Sequence, residues 1–107
     1  MKSYVASFFI ASPQAGTNRA VVPVPAGFQV VEVIANVPSD STLDVLDAGN
    51  SIFGSRPLPG GIFATTANKR LKLPVPKPTT NSNLELVVEC SSAPSSPISV
   101  VLVGVIE

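Results

Sequence analysis

Residues 84–107 read LELVVECSSAPSSPISVVLVGVIE and contain two strand-length apolar runs joined by a turn rich in serine and proline. In the first run, Glu85 and Glu89 share one face and apolar residues share the other, which predicts a half-exposed antiparallel strand. The second run, Ile98–Ile106, is apolar on both faces. The residues expected to face the core are Leu84, Leu86, Val88, Cys90, Ile98, Val100, Leu102 and Ile106.

The outward face of this last run carries Val101, Val103 and Val105. Only one face of a strand meets the core of a two-sheet sandwich, so the second face must be covered by a loop or by another subunit. An exposed apolar face of this kind favours association. We therefore expect the chain to associate with itself, as a trimer or a dimer.

Short runs of β-branched and aromatic residues recur along the rest of the chain. The 11 prolines and 7 glycines are scattered, so few intervals are long enough for a helix. The composition and spacing predict one all-β domain over residues 1–107, an antiparallel β-sandwich of jelly-roll type with seven or eight strands. The remaining strands are expected at residues 4–11, 19–24, 28–37, 42–47, 62–66 and 70–75.

Local patterns add detail to five of these strands. The strand predicted at 19–24 has prolines near its end, which confine it to an edge or to the last residues of a strand. The strand predicted at 28–37 is apolar on both faces and is expected to be central in its sheet. Its alternation puts Phe28 and Val33 on opposite faces. The strand 42–47 is expected to pair with 28–37 as a hairpin. Within a long loop at 54–67, only 62–66 is expected to be extended, and prolines are expected to end 70–75.

The charge content excludes several classes of function. Charged residues make up 13% of the chain, the formal net charge is zero, and histidine is absent. The lack of histidine excludes a histidine base, metal ligand or pH switch. A neutral chain also lacks the basic field that non-specific binding to phosphates requires, so no nucleic-acid partner is expected. We expect no cofactor and no bound metal.

The N-terminal residues resemble a signal peptide only weakly. Lys2 precedes an apolar stretch at 4–11, but Ser7 interrupts that stretch and Pro13 follows where a cleavage site would be expected. No run approaches the ~18 apolar residues of a membrane helix, so no membrane partner is expected. We expect the protein to be made in the cytoplasm.

The residues capable of acid–base or nucleophilic chemistry do not form a convincing catalytic set. Asp44 and Asp47 lie on opposite faces of a predicted strand and are expected to be solvated, although a weak ion site there stays open. Cys90 has no histidine to activate it and is expected to be a core thiol. The Gly60–Gly61 pair is read as a turn, since no phosphate-loop pattern follows it. We expect no enzyme activity.

Four of the seven basic residues fall within nine positions, at Lys69, Arg70, Lys72 and Lys77. No aromatic residues are interleaved with them, which makes a nucleic-acid site a weak interpretation. The favoured interpretation is a solvated strand face whose charges discourage edge-to-edge pairing. Docking on an acidic protein surface is the alternative.

Three stretches together resemble a known group: residues 28–37 (FQVVEVIANV), residues 42–45 (TLDV) and residues 84–107. They are similar to the small β-sandwich or jelly-roll proteins that decorate or cement the capsids of tailed bacteriophages. The resemblance implies a non-enzymatic structural protein on the capsid surface of the virion, with the assembled shell of major capsid protein as its partner. Such a protein would hold the shell against internal pressure.

Two alternatives remain beside this interpretation. The first is another virion component, such as a tail, head–tail or fibre protein, and the second is a carbohydrate-binding sandwich. The absence of tryptophan and the single tyrosine disfavour a sugar site. The side chains expected to contact a partner are Tyr4, Phe8, Phe9, Leu58, Ile62, Phe63, Lys69, Arg70, Lys72, Val101, Val103 and Val105.

Overall fold

A computed structural model describes residues 2–54, 57–65, 69–80 and 82–106 of the chain. Strands account for 63% of these residues. The elements in chain order are β1 (Lys2–Ile10), β2 (Gly16–Pro23), β3 (Phe28–Asn36), β4 (Thr42–Asp47), β5 (Asn50–Ser51), β6 (Leu58–Pro59), α1 (Gly61–Thr65), β7 (Arg70–Pro78), β8 (Asn83–Cys90) and β9 (Ile98–Ile106).

The strands form two antiparallel sheets. Sheet 1 has the order β1-β9-β3-β7, and sheet 2 has the order β2-β8-β4-β5 with β6 beside β4. The seven longer strands alternate between the sheets along the chain, and the last two insert between earlier neighbours: β8 between β2 and β4, β9 between β1 and β3. This is jelly-roll topology, which confirms the predicted fold class. The strands outnumber the predicted seven or eight because β5 and β6, of two residues each, were not foreseen.

The core lies between the sheets and follows the predicted alternation in the last two long strands. In β8 the buried residues alternate with Glu85 and Glu89, and in β9 they alternate with the valines of the outward face. Phe28 of β3 and Phe63 of α1 are the largest fully buried side chains. The side chains that β8 and β9 bury are Leu84, Leu86, Val88, Cys90, Ile98, Val100 and Leu102.

Strand β3 is central, as predicted, but its side chains do not alternate strictly. Its register with β9 shifts between Val30 and Glu32, so Val31 is an extra residue in a β-bulge. The bulge reverses the alternation beyond it, and Phe28 and Val33 therefore both face the core. The prediction that they lie on opposite faces is wrong.

Strand β4 has the predicted bounds and buries Leu43 and Val45, but it is not the hairpin partner of β3. It pairs with β8 in sheet 2, whereas β3 pairs with β9 and β7 in sheet 1. The residues after Asn36 therefore carry the chain from one sheet to the other. The true hairpin follows β4: Asp47 pairs with Asn50 across Ala48 and Gly49, both of which have positive φ angles.

The strand predicted at 62–66 is wrong, because α1 occupies Gly61–Thr65 and residue 66 lies outside the described residues. The Gly60 N–H donates to the Ser41 carbonyl at 2.7 Å, and a Cβ on Gly60 would collide with the Pro38 carbonyl oxygen. This close approach holds the loop against the turn before β4. One helical turn then places Phe63 in the core.

Other boundaries shift by a few residues. β1 and β2 begin earlier than the predicted 4–11 and 19–24, and β2 lies at an edge of sheet 2, as its prolines indicated. β7 continues to Pro78 instead of ending at residue 75. Its prolines are tolerated because β7 is an edge strand of sheet 1, where backbone N–H groups need no second neighbour.

Gly104 provides a test of the packing between β9 and β3. It lies opposite Tyr4 of β1 and Val30 of β3, and a Cβ there would meet the Gln29 carbonyl oxygen and lie 2.8 Å from Cε1 of Phe28. We expect Gly104→Ala to lower the free energy of unfolding by ~1–3 kcal/mol through overpacking. Urea denaturation measures the change. Ser99→Ala, on the outward face of the same strand, is the matched control and should change stability little; equal stability of both variants would contradict the packing described.

Candidate functional site

The outward face of sheet 1 carries an apolar surface centred on β9, in which Ser3, Ser7 and Ser99 face Val105, Val101 and Phe9. In the strand register, Val103 lies between Val5 of β1 and Glu32 of β3, and Val101 lies beside Ile34. Because facing residues of neighbouring strands share one side of a sheet, these side chains form adjacent rows. We call this surface the outer stripe; its residues are Val5, Phe9, Ile34, Val101, Val103 and Val105.

Exposure within the outer stripe increases toward β1. Val101, Val103 and Val105 are half-buried by their neighbours on both sides, as is Ile34. At the edge strand, Val5 is 54% exposed and Phe9 is 64% exposed. A phenylalanine that exposed gains little from folding, because most of its apolar area stays in water. The stripe therefore has the chemical character of an uncovered contact surface.

Charged residues border the stripe on the β7 side. Arg70 of β7 forms an ion pair with Glu32 of β3, and Lys72 lies opposite Glu32 in the same register. Lys69 donates a hydrogen bond to Oδ1 of Asn36 at 2.6 Å. Exposed pairs of this kind contribute only ~0–1 kcal/mol to stability. Their arrangement instead gives the apolar surface a polar rim on one side, as protein interfaces have.

The predicted partner contacts divide into groups. Phe9, Val101, Val103 and Val105 lie in the outer stripe, and Lys69, Arg70 and Lys72 are exposed beside it. Phe8 and Phe63 are 2% and 1% exposed and pack in the core, so neither is available to a partner. Phe8 faces the core because it alternates with the outward Phe9 along β1, and Phe63 faces the core because the helical turn of α1 directs it inward.

Tyr4, Leu58 and Ile62 are half-buried against the core and do not belong to the outer stripe. The Tyr4 ring meets the ring of Phe28 edge to face, at 5.4 Å between centroids. Leu58 lies in β6, which pairs with β4 of sheet 2. The structure therefore does not bring the three onto one surface with β9. Leu58, Ile62 and Phe63 belong to the long loop predicted at 54–67, of which residues 55–56 and 66–67 lie outside the described residues.

Sequence reasoning missed Val5 and Ile34 as members of the stripe. Strict alternation along 28–37 would put Ile34 on the same face as Phe28, and only the bulge at Val31 moves it outward. Simple alternation of residues gives no signal for such a bulge. Val5 could have been found, since it alternates with the inward Tyr4 and Ala6.

The two aspartates of β4 serve structural roles. Asp44 accepts a hydrogen bond from Oγ of Ser51 at 2.6 Å, and Oδ2 of Asp47 accepts one from the Thr80 backbone N–H at 2.8 Å. Asp47 is only 8% exposed, so the prediction that both are solvated is wrong for Asp47. Within the described residues, no three histidine, cysteine, aspartate or glutamate side chains come together as metal ligands.

Cys90 is a buried free thiol, as predicted. The side-chain amide of Asn18 donates to its sulfur at 3.6 Å and to the Gln14 carbonyl at 2.8 Å, while Asn18 accepts from the Gln14 N–H. Burial is the main cause that raises the pKa of the Cys90 thiol, and the negative charge of Asp40 adds to it. The thiol is therefore protonated at neutral pH and unsuited to nucleophilic attack.

An open pocket of about 440 Å³ lies between the loop after β3 and the loop before β9. Serines and prolines dominate its wall, together with Asn36 and Asp40. None of its ten described lining residues is aromatic, so it lacks the ring platform typical of sugar sites. Ser91 donates to Asp40 across the two loops at 2.6 Å.

Two comparisons with known proteins were informative by their negative result. No protein-family model matches the chain, and no curated protein is significantly similar to it. Among the described helical residues, none belongs to a helix long and apolar enough to cross a membrane. The geometry of the surface and the resemblance of the sequence are the bases for a functional proposal.

Cys90 gives a prediction for both reactivity and pH dependence. We expect a thiol reagent to modify the native protein only at the rate of its unfolding, and the urea-unfolded chain at once. Because the folded pKa is raised, the unfolded state loses its proton first, so this thiol's contribution to stability is present at neutral pH and is lost as pH rises through and above the ordinary thiol range.

The control for this effect is Cys90→Ala, which removes the titrating group. Comparing urea denaturation of the two proteins between about pH 7 and pH 10 cancels the other titrations. Wild type should lose more stability than the variant over that range. Parallel pH profiles, or rapid labelling of the native protein, would show that the thiol is accessible.

Proposed function

We propose that this chain is a non-enzymatic bacteriophage structural protein that binds the assembled shell of the major capsid protein and cements it. The observation that carries the proposal is the outer stripe, an apolar surface on the middle strand of sheet 1 in a chain with only 13% charged residues. The similarity of residues 28–37, 42–45 and 84–107 to phage decoration proteins supports the capsid as the partner.

The stripe has the anatomy of a contact surface. Its centre is formed by valines of β9 on a rigid sheet, where few rotamers are lost on binding because β-branched side chains are already restricted. Glu32, Arg70 and Lys72 border it with charge on one side only. That asymmetry would fix the orientation of the module on a shell, since polar contacts at the rim set register more than affinity.

A jelly roll of 11.0 kDa suits cementing through mass action. A protein that binds the assembled shell and not free subunits stabilises the shell by its binding free energy, added over many copies. No chemical step is needed. In this role the outer stripe faces the shell, and the loops at the ends of the sandwich stay free.

A first test measures where the chain is found. Particles from the source lysate are separated on a density gradient, and the 11.0 kDa chain is quantified by mass spectrometry in each fraction. We expect it in DNA-filled heads, at about one copy per few major capsid subunits. A handful of copies per particle would indicate a tail, head–tail or fibre component instead, and a chain that stays soluble would contradict a virion role.

A second test locates the docking surface with matched substitutions. Val103→Lys places a charge in the centre of the outer stripe, whereas Val87→Lys does the same on β8, the central strand of sheet 2, where Val87 is also half-buried and outward. We expect Val103→Lys to reduce binding to shells lacking the chain at least tenfold, and Val87→Lys to bind as wild type. The reverse pattern would place the docking surface on sheet 2.

A further inference from the structure

The exposed large apolar side chains of the described residues cluster at one edge of the sandwich. They are Val5 and Phe9 of β1, and Val21 of β2, which is 64% exposed. β1 is an edge strand of sheet 1 and β2 an edge strand of sheet 2, and the two lie next to each other across the sandwich. This edge therefore differs from the opposite one in its surface chemistry.

The long edge strands also differ in how they resist pairing with another strand. β7 contains Pro74, Pro76 and Pro78, which lack N–H donors, and Lys72 and Lys77 add charge. β2 ends in Pro23 and carries Arg19, paired with Glu85 at 3.3 Å. β1 contains neither proline nor glycine, and its single charged residue is Lys2 at its first position. Among the described strands, β1 is thus the long edge without a protective device.

The sequence of β1 is complementary to itself when two copies run antiparallel. If Ser7 of one copy faces Ser7 of the other, Val5 faces Phe9 of the second copy, and Phe9 faces its Val5. Aromatic residues paired with β-branched residues, and paired serines, are favourable cross-strand neighbours. A two-fold axis through Ser7 would therefore bury the two exposed apolar side chains of β1 against each other.

The charges permit the same arrangement. Each Lys2 would lie beyond the end of the partner's strand, so the two ammonium groups would be at opposite ends of the ladder. The formal net charge of zero adds no long-range repulsion between two copies. A second copy matches the Val5–Phe9 spacing by symmetry, whereas a foreign strand would need a sequence of its own that happens to match.

We propose that β1 is a homodimer interface, at which two copies pair antiparallel around Ser7 and join their sheets 1 into one eight-stranded sheet. The outer stripes of the two copies then form one wide apolar surface. This inference does not depend on the capsid role, because the dimer would form in solution whether or not the protein binds a shell.

The test exchanges charges at the proposed two-fold axis. Ser7 is exposed, so Ser7→Lys and Ser7→Glu should fold as wild type does, which thermal melting checks. Each substitution brings two like charges directly opposite each other, whereas an equimolar mixture brings a lysine opposite a glutamate. Val21→Lys, the same change in charge at the other exposed edge strand, is the matched control.

Sedimentation equilibrium gives the mass of each species. We expect wild type and Val21→Lys to be dimers, Ser7→Lys and Ser7→Glu to be monomers at the same concentration, and their mixture to recover the dimer. A wild-type protein that is monomeric at millimolar concentration would overturn the inference. So would a dimer, or a trimer, that survives both Ser7 substitutions.

Discussion

The position of β9 between β1 and β3 is the constraint on which the rest of the molecule depends. Lys2 pairs with Ile106, so the two ends of the described chain meet in one sheet. The hydrogen bonds of sheet 1 are therefore incomplete until β9, the last strand in the chain, lies between β1 and β3. Pairing residues so far apart in sequence reduces the conformational entropy of the chain before the burial of apolar side chains stabilises the fold. Gly104 favours this insertion, because the absent side chain leaves room for the Gln29 carbonyl oxygen and the ring of Phe28 against β9.

The bulge at Val31 links this packing to the surface. It turns Phe28, Val30, Val33 and Ala35 toward the core from a strand that would otherwise divide them between two faces. The same shift sends Glu32 and Ile34 outward, beside Val103 and Val101. One extra residue therefore sets both the filling of the core and the composition of the outer stripe, so deleting it would exchange buried and exposed side chains along half of β3.

The sequence predicted what depends on neighbours along the chain and failed where distant residues decide. The bounds of β4 and β9 and the buried faces of β8 and β9 follow from alternation, which local sequence contains. The partner of β4 does not, because the choice between β3 and β8 is made by closure of the whole sandwich. Likewise, Phe63 is held in α1 by the packing of Gly60 under the Pro38–Ser41 turn, which no local pattern shows. The outward valines of β9 were predictable because buried and outward side chains alternate along that strand. The bulge breaks this alternation in β3, so the outward position of Ile34 was not predictable.

The low charge content of the chain and the unprotected edge at β1 have a common physical explanation if partners cover both the outer stripe and the β1 edge when the protein functions. Phe9 and Val5 are exposed to water, and the β1 edge has no proline and no interior charge. In a monomeric protein both features would favour non-specific association. Symmetric pairing at β1 would restrict that association to one partner and one register. It would also present two outer stripes in a fixed geometry, so that weak docking of each stripe would combine into strong binding on a repeating surface. The β1 edge would then determine how many outer stripes are presented together, and the outer stripe would determine what they bind.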